Sequence, residues 1–206
     1  PLRQRVALDD LADRIDITVL YQDNGSIVVL GAGNNTLVSG SASFTISSVP
    51  TNVSKGSLGG LVAYRDGELA QAITSLNDFA DKFIETINTE HQAGFDLNGA
   101  GGEVFFDAPV GGNEAFNMQV NANLLADPNL VAASGNAALI LDNTDAQALA
   151  DLEFDNDFGT SGKTPGELAY TVAQQVGFST STAKAEASAA QASTAAVDAQ
   201  LRSSAG

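Results

Sequence analysis

Between Leu69 and Ile87 the apolar residues Leu69, Ile73, Leu76, Ala80, Phe83 and Ile87 step by four, three, four, three and four. That alternation draws one apolar stripe along an α-helix and suits lengthwise packing against other helices. The spacing predicts a single helix over 58–91, about 50 Å long at 1.5 Å per residue, with Gly94 as a stop just past its end. Near the start, Leu8, Leu11, Ala12 and Ile15 show the i, i+3, i+4, i+7 pattern of a helical face. From Asp16 the period changes. Ile17-Thr-Val-Leu-Tyr21 and Ile27-Val-Val-Leu30 are β-branched runs on either side of Asp23-Asn24-Gly25. Asn-Gly between two such runs predicts a hairpin with a type I′ turn, which needs positive φ at both central positions. Thr36 to Val38 and Phe44 to Val49 read as two further strands, with Pro50 ending the run.

The segment 95–162 is irregular and rich in Gly and Asn. Val104 to Phe106 and Asn117-Met-Gln-Val-Asn121 are short apolar or polar pieces within it. Asp127-Pro128 opens one short helix and 145–152 forms another. A loop-rich stretch of this length is uncommon in a compact domain and must lie against something else. At Thr164-Pro165 the helical signal returns, with Thr164 as cap and proline in the first turn. Ala169, Val172, Val176, Ala183, Ala190, Val197 and Leu201 fall near heptad spacing, and Gly177 is a point where the run would kink. Residues 183–199 are almost all Ala, Ser, Thr and Gln. They fit either a frayed low-complexity tail or a helix with a small-residue seam, because Ala favours helix and Ser and Thr do not. The expected fold class is α+β: an elongated helical-bundle rod with a small inserted antiparallel β domain. The rod is discontinuous, 1–15 and 57–206 with the loop-rich segment at 95–162, and the β domain is 16–56.

Composition narrows the partners. Nine basic residues against 25 acidic ones give a net charge of −16. Such a surface repels phosphate backbones and anionic headgroups, so neither nucleic acid nor membrane is an expected partner. The chain has no cysteine, which excludes disulfides and thiolate metal sites. No apolar run approaches the roughly twenty residues that span a bilayer. The start Pro-Leu-Arg-Gln-Arg has no apolar region behind it, so no signal peptide is expected, and the missing initiator Met reads as a piece of a longer chain.

Candidate chemistry is thin. His91 is the only histidine, and Glu90 and Asp96 lie near it in sequence as potential orienting acids. At a helix end a cation complements the dipole and caps carbonyls, which is the favoured reading. Asp96-Leu-Asn98-Gly-Ala-Gly-Gly-Glu103, with Asp107 beyond, has oxygen-bearing residues at alternate positions, as calcium requires. Ala100 occupies a ligand position, however, and a glycine-rich turn held by Asp and Asn side chains is favoured. Asp151, Glu153, Asp155 and Asp157 are paired carboxylates of the type glycosidases use, but nothing sets them across a cleft. Gly31-Ala-Gly33 lacks the third glycine of a dinucleotide site. Arg65 and Asp66 read as surface or inter-helix polar contacts. No catalytic, cofactor-binding or metal-binding residue is expected, and the chain is not expected to be an enzyme.

The order of motifs carries a resemblance. Gly56-Ser-Leu-Gly-Gly-Leu-Val-Ala-Tyr-Arg65 precedes the apolar stripe. Asn88-Thr-Glu-His91-Gln-Ala-Gly94-Phe-Asp96, Asn98-Gly99 and Phe105-Phe106 follow it. Together these resemble the flagellar hook-associated protein 1 family, the junction proteins between bacterial hook and filament. The Asn24-Gly25 hairpin, Thr36-Leu-Val-Ser-Gly40, Asn117 to Asn121, Asp127-Pro128 with Val131-Ala-Ala-Ser134, and Tyr170 to Gly177 follow the same pattern. Only ten residues separate Phe106 from Asn117, where some relatives carry a large outer β domain. The resemblance implies a middle fragment without the terminal assembly arms. Its implied role is structural, with no catalytic residues to carry over. The hook protein, the second junction protein and copies of the chain itself are the implied partners. The implied place is outside the cell in the flagellum, reached by export without a cleaved signal peptide, and the isolated fragment is expected to be monomeric. From the residues alone, the competing reading is an extracellular calcium- or glycan-binding module or adhesin.

Overall fold

The computed structural model describes residues 2–48, 52–109, 111–139 and 141–204, and the chain divides into two compact units, 1–70 and 71–206. The first holds helix α1 (Leu2–Arg14), strands β1 (Ile17–Tyr21), β2 (Ile27–Gly31), β3 (Thr36–Ser39) and β4 (Ala42–Ser43), and helix α2 (Gly56–Tyr64). The strands form one antiparallel sheet in the order β1-β2-β3-β4, with a register shift between Val29 and Leu30. The expected α+β layout is present. Its fourth strand is Ala42–Ser43, one step earlier than expected. Only Phe44 of the expected 44–49 strand bonds to the sheet, donating its N–H to Leu37 O, and Val49 and Pro50 lie outside the described residues.

The hairpin corrects the sequence reading. Of its residues only Gly25 has positive φ, at 78°. Gln22 N–H donates to Ser26 O and Gly25 N–H donates to Gln22 O. The loop is therefore Asp23-Asn24-Gly25, a three-residue turn with glycine in the left-handed position, rather than a two-residue type I′ turn. Asn24 instead uses its side chain, whose Oδ1 accepts the Ser26 N–H at 3.0 Å.

The core of this unit is Ile15, Ala32 and Val53, with Leu11, Ile17 and Leu58 packed on it. Two polar contacts fix the entry to α2: Asp16 Oδ2 accepts the Ser54 N–H at 2.9 Å and the Ser54 hydroxyl at 3.0 Å. The glycines of the Gly-Ser-Leu-Gly-Gly run have specific reasons. Gly56 has φ of 66°, and a Cβ there would lie 2.5 Å from the Arg14 carbonyl carbon. A Cβ on Gly59 would lie 2.6 Å from the Ser54 carbonyl carbon.

The expected single helix over 58–91 is instead three consecutive elements: α2, a five-residue π-type turn (Arg65–Leu69) and α3 (Ala70–Ala93). A π turn takes in one more residue than an α turn, so the apolar phase before it does not continue through it. Leu61, Tyr64 and Leu69, around this turn, are all exposed.

The second unit is built on α3. It also holds four-residue α4 (Glu114–Asn117), α5 (Ala122–Ala126), α6 (Thr144–Asp151) and the 40-residue α7 (Pro165–Ser204). The apolar stripe of α3 divides in two. Ile73 and Leu76 remain 49% and 48% exposed, whereas Ala80 and Ile84 are buried and Phe83 and Ile87 are half-buried. Phe83 stacks on Phe79, Phe106 and Phe158 with ring centroids about 6 Å apart, and Phe158 is fully buried. Lys82 Nζ donates to Gly159 O at 2.7 Å and fixes the turn that delivers Phe158.

α7 opens on a reciprocal cap: Thr164 N–H donates to Glu167 Oε2, and Glu167 N–H donates to Thr164 Oγ1. Leu168, Val172, Gln175 and Ser179 are partly covered, while from Thr180 onward every residue whose burial is described is exposed. Of the two readings left open, the small-residue stretch is helical, and Gly177 does not interrupt it.

Truncating Phe158 removes the ring around which this cluster closes. Phe158→Ala is expected to cost about 3–5 kcal/mol, read as a lower midpoint in urea denaturation; a shift of a few tenths would refute this packing.

Candidate functional site

The chemistry-bearing residues gather where α3 ends and the loop-rich segment begins. α3 presents Asn77, Asn88 and His91 toward that segment, and each binds loop backbone. Asn77 Oδ1 accepts the Ala115 N–H at 3.2 Å. Asn88 Oδ1 accepts the N–H groups of Phe105 and Phe106, both at 2.8 Å, and its Nδ2 donates to Phe106 O at 2.9 Å. The His91 ring is fully buried. Its Nε2 accepts the Ala132 N–H at 2.9 Å, so the ring proton is on Nδ1, which donates to Glu103 O at 2.7 Å. An edge-on Phe105 ring packs against it at 5.3 Å. His91 thus holds loop backbone, which differs from the expected helix-end role: it neither caps its own helix nor supplies a cation there. It joins two distant loop strands as a neutral imidazole with both nitrogens engaged.

Neither acid proposed to orient His91 bonds to it. Asp96 is buried and turned into its own loop. Its Oδ1 accepts the N–H groups of Asn98 and Ala100 at 2.8 Å each, and Oδ2 accepts from Asn98 Nδ2 at 3.2 Å. Gly99 takes the positive φ that this turn requires. The Ala100 N–H foremost holds the Asp96 carboxyl below the usual carboxylate value, so its stabilising effect is present above that value and is lost as pH falls. Glu103 turns to Asn121 and Asn123, accepting from both amides on Oε2. Both Asp96 carboxylate oxygens and Glu103 Oε2 are therefore committed to backbone and amide donors. Among the described residues, no group of three or more His, Cys, Asp or Glu is placed to hold a metal ion.

The second acidic cluster is also a turn. Asp155 Oδ1 accepts the Asp157 N–H, and Asp157 Oδ1 accepts the Gly162 N–H. Arg65 and Asp66 form an exposed pair between neighbouring residues within the π turn, at 2.6 Å. Gly31, Ala32 and Gly33 turn into a 3-10 segment (Ala32–Asn34) instead of a phosphate-binding helix.

Asp145 was not identifiable from sequence. It sits in the first turn of α6, is only 5% exposed, and its Oδ2 is buried without a hydrogen-bond partner. A Cβ on Gly94 would fall 2.2 Å from its Cγ, so the glycine after α3 is the space Asp145 occupies. Burial first, and then the nearby Glu90, push the Asp145 carboxyl above its ordinary value of 3.8. Asn88, Asn121 and Ser134 were likewise missed. Only the spacing of Asn88 and His91, three apart on the helix that carries the stripe, hints at the pair.

A helix end that spends its polar side chains on holding loop backbone defines a helical α+β domain organised for rigidity. Comparison with known proteins gives the particular relationship. Residues 47–106 match the family described as "Flagellar hook-associated protein FlgK helical domain". Flagellar hook-associated protein 1 of Escherichia coli (strain K12) is 30% identical over a stretch covering 48% of this chain and 22% of that protein. The protein of the same name from Salmonella typhimurium (strain LT2) is 27% identical over 68% of this chain and 30% of its own length. This chain spans less than a third of the length of those two proteins.

Two substitutions test the knot. His91→Phe keeps a ring but leaves the buried Ala132 N–H without its acceptor and the Glu103 carbonyl without its donor, and is expected to cost about 1–3 kcal/mol in urea denaturation; an unchanged midpoint would contradict the role given to His91. Asp145 has the opposite sign. A carboxyl raised in the folded state contributes stability below its unfolded value and loses it as pH rises through the folded value. Asp145→Asn is therefore expected to raise Tm at neutral pH, with the gain shrinking as pH approaches 3.8. A lower Tm at neutral pH would show that the ionised group is favourable there.

Proposed function

We propose that this chain is the central part of a structural subunit of the bacterial flagellum that links hook to filament. The hook protein, a second junction protein and copies of the subunit are its neighbours. It works outside the cell after export without a cleaved signal peptide, and it carries out no catalysis. The helical segments 1–15 and 57–206 supply the helical contacts in the assembly, and 16–56 is a small β module. The carrying observation is the half-covered stripe of α3. Ala80 and Ile84 are buried in their own unit, whereas the same stripe leaves Ile73 and Leu76 in solvent. Exposed apolar residues recur along α7, at Tyr170, Val176, Phe178 and Val197. A series of apolar positions along a helix is the contact pattern of lengthwise helix packing. The relationship to flagellar hook-associated protein 1 supports reading the missing cover as other axial subunits.

The test is the pair Ile73→Glu and Leu76→Glu, introduced into the full-length protein. Both positions are exposed, so the isolated domain is expected to stay within about 0.5 kcal/mol of its original stability. Cells carrying the pair are expected to build hooks bearing few or no filaments under electron microscopy. Normal filament numbers with a folded variant would refute the proposal.

A further inference from the structure

The chain contains two Asn-Gly pairs, Asn24-Gly25 and Asn98-Gly99. A glycine after asparagine leaves its backbone nitrogen free of a neighbouring Cβ and able to approach the asparagine side chain. We infer that Asn24 is a self-modifying site, converting spontaneously to aspartate and isoaspartate through a cyclic imide, while Asn98 is protected. A solvent base removes the Gly25 amide proton, and the nitrogen attacks Asn24 Cγ. The Cγ–Nδ2 bond breaks and ammonia leaves. Water then opens the imide at either carbonyl, so the net change is one water consumed, one ammonia released and one carboxylate gained.

Three features separate the two sites. The first is stabilisation of the charge that develops on Oδ1 during attack. Asn24 Oδ1 already faces the Ser26 N–H at 3.0 Å and the Ser26 hydroxyl at 2.8 Å. Two donors at that atom favour the tetrahedral intermediate in the way an oxyanion hole does. The Ser26 hydroxyl has Gln22 Oε1 as a second acceptor at 2.5 Å and can turn between them. At Asn98 the side-chain amide instead donates to the Asp96 carboxylate, whose negative charge opposes a second anion beside it.

The second feature is access. Asn24 and Asn98 are both exposed, but the attacking glycine differs: Gly25 is exposed, whereas Gly99 is half-buried beside a buried Asp96. The third is the cost of opening the turn. In both pairs the glycine N–H is engaged, Gly25 with Gln22 O and Gly99 with Asp96 O, so each turn must loosen before attack. The hairpin tip loosens by itself. The Asp96 loop is tied at Phe95 to Ser134, at Leu97 to Asn129 and at Gly102 to Gly94, and opening it breaks contacts across the unit. Conversion at Asn24 adds a negative charge to the tip of the β module. In the isoaspartate product it also adds a methylene to the backbone of a turn whose register depends on loop length.

The test is timed incubation of the whole chain in mildly alkaline buffer at body temperature, with peptide mass spectrometry and isoaspartate detection reporting both sites in one sample. Asn24 is expected to convert at least severalfold faster than Asn98 in the folded protein, and the two rates are expected to converge in denaturant. Ser26→Ala is expected to slow Asn24 by about threefold to tenfold, the loss of one hydrogen bond to the developing charge; Ser26→Thr, which keeps the hydroxyl, is expected to restore the rate. Asn98 matching or outrunning Asn24 in the folded chain, or a Ser26→Ala rate equal to that of Ser26→Thr, would overturn the inference.

Discussion

The second unit depends on backbone polar groups closed by side chains of α3. A loop-rich segment cannot bury its amides and carbonyls in a ladder of its own, and each one left unpaired costs as much as a lost hydrogen bond. Asn88 takes three such groups from the Phe105-Phe106 backbone, and His91 takes one from Glu103 and one from Ala132. With those groups satisfied, Phe105 and Phe106 can pack edge to face at 5.0 Å and Phe106 can meet Phe83. The apolar cluster is therefore conditional on the polar one.

The same logic accounts for the tight glycines. A Cβ on Gly102 would fall 2.0 Å from the His91 carbonyl oxygen, and one on Gly94 would collide with Asp145. Loop backbone and the α6 carboxylate approach the helix end so closely that only glycine fits. Rigidity at this end contrasts with the open apolar positions at the start of α3 and along α7. Within one element, α3, the polar residues organise a folded loop and half of the apolar residues await a cover.

Periodicity made α1, α3, α7 and three of the four strands readable, because burial of one face forces a repeat of 3.6 or 2, whereas α4 and α5 went unread. It failed wherever backbone conformation departs from the repeat. The π turn at Arg65–Leu69 adds a residue that no apolar pattern announces, and the Asn24-Gly25 turn fits a two-residue or a three-residue loop equally well by composition. His91 and Asp96 read as structural residues from their places at a helix end and in a glycine-rich turn. The actual partners were hidden: Ala132 lies 41 positions from His91, and its contribution is a backbone N–H, which every residue but proline carries. Asp145 was illegible for a related reason, since an acid in the first turn of a helix reads as ordinary end chemistry until the fold places Glu90 beside it.

Amide hydrogen exchange followed residue by residue tests the dependence on Asn88 and His91 most directly. The account predicts that the N–H groups of Phe105, Phe106 and Ala132 exchange only with global unfolding of the unit, as slowly as those in the middle of α3, although they lie in irregular backbone. Exchange at these three positions as rapid as in the exposed half of α7 would contradict it, and would mean that the loop is held by something other than the end of α3.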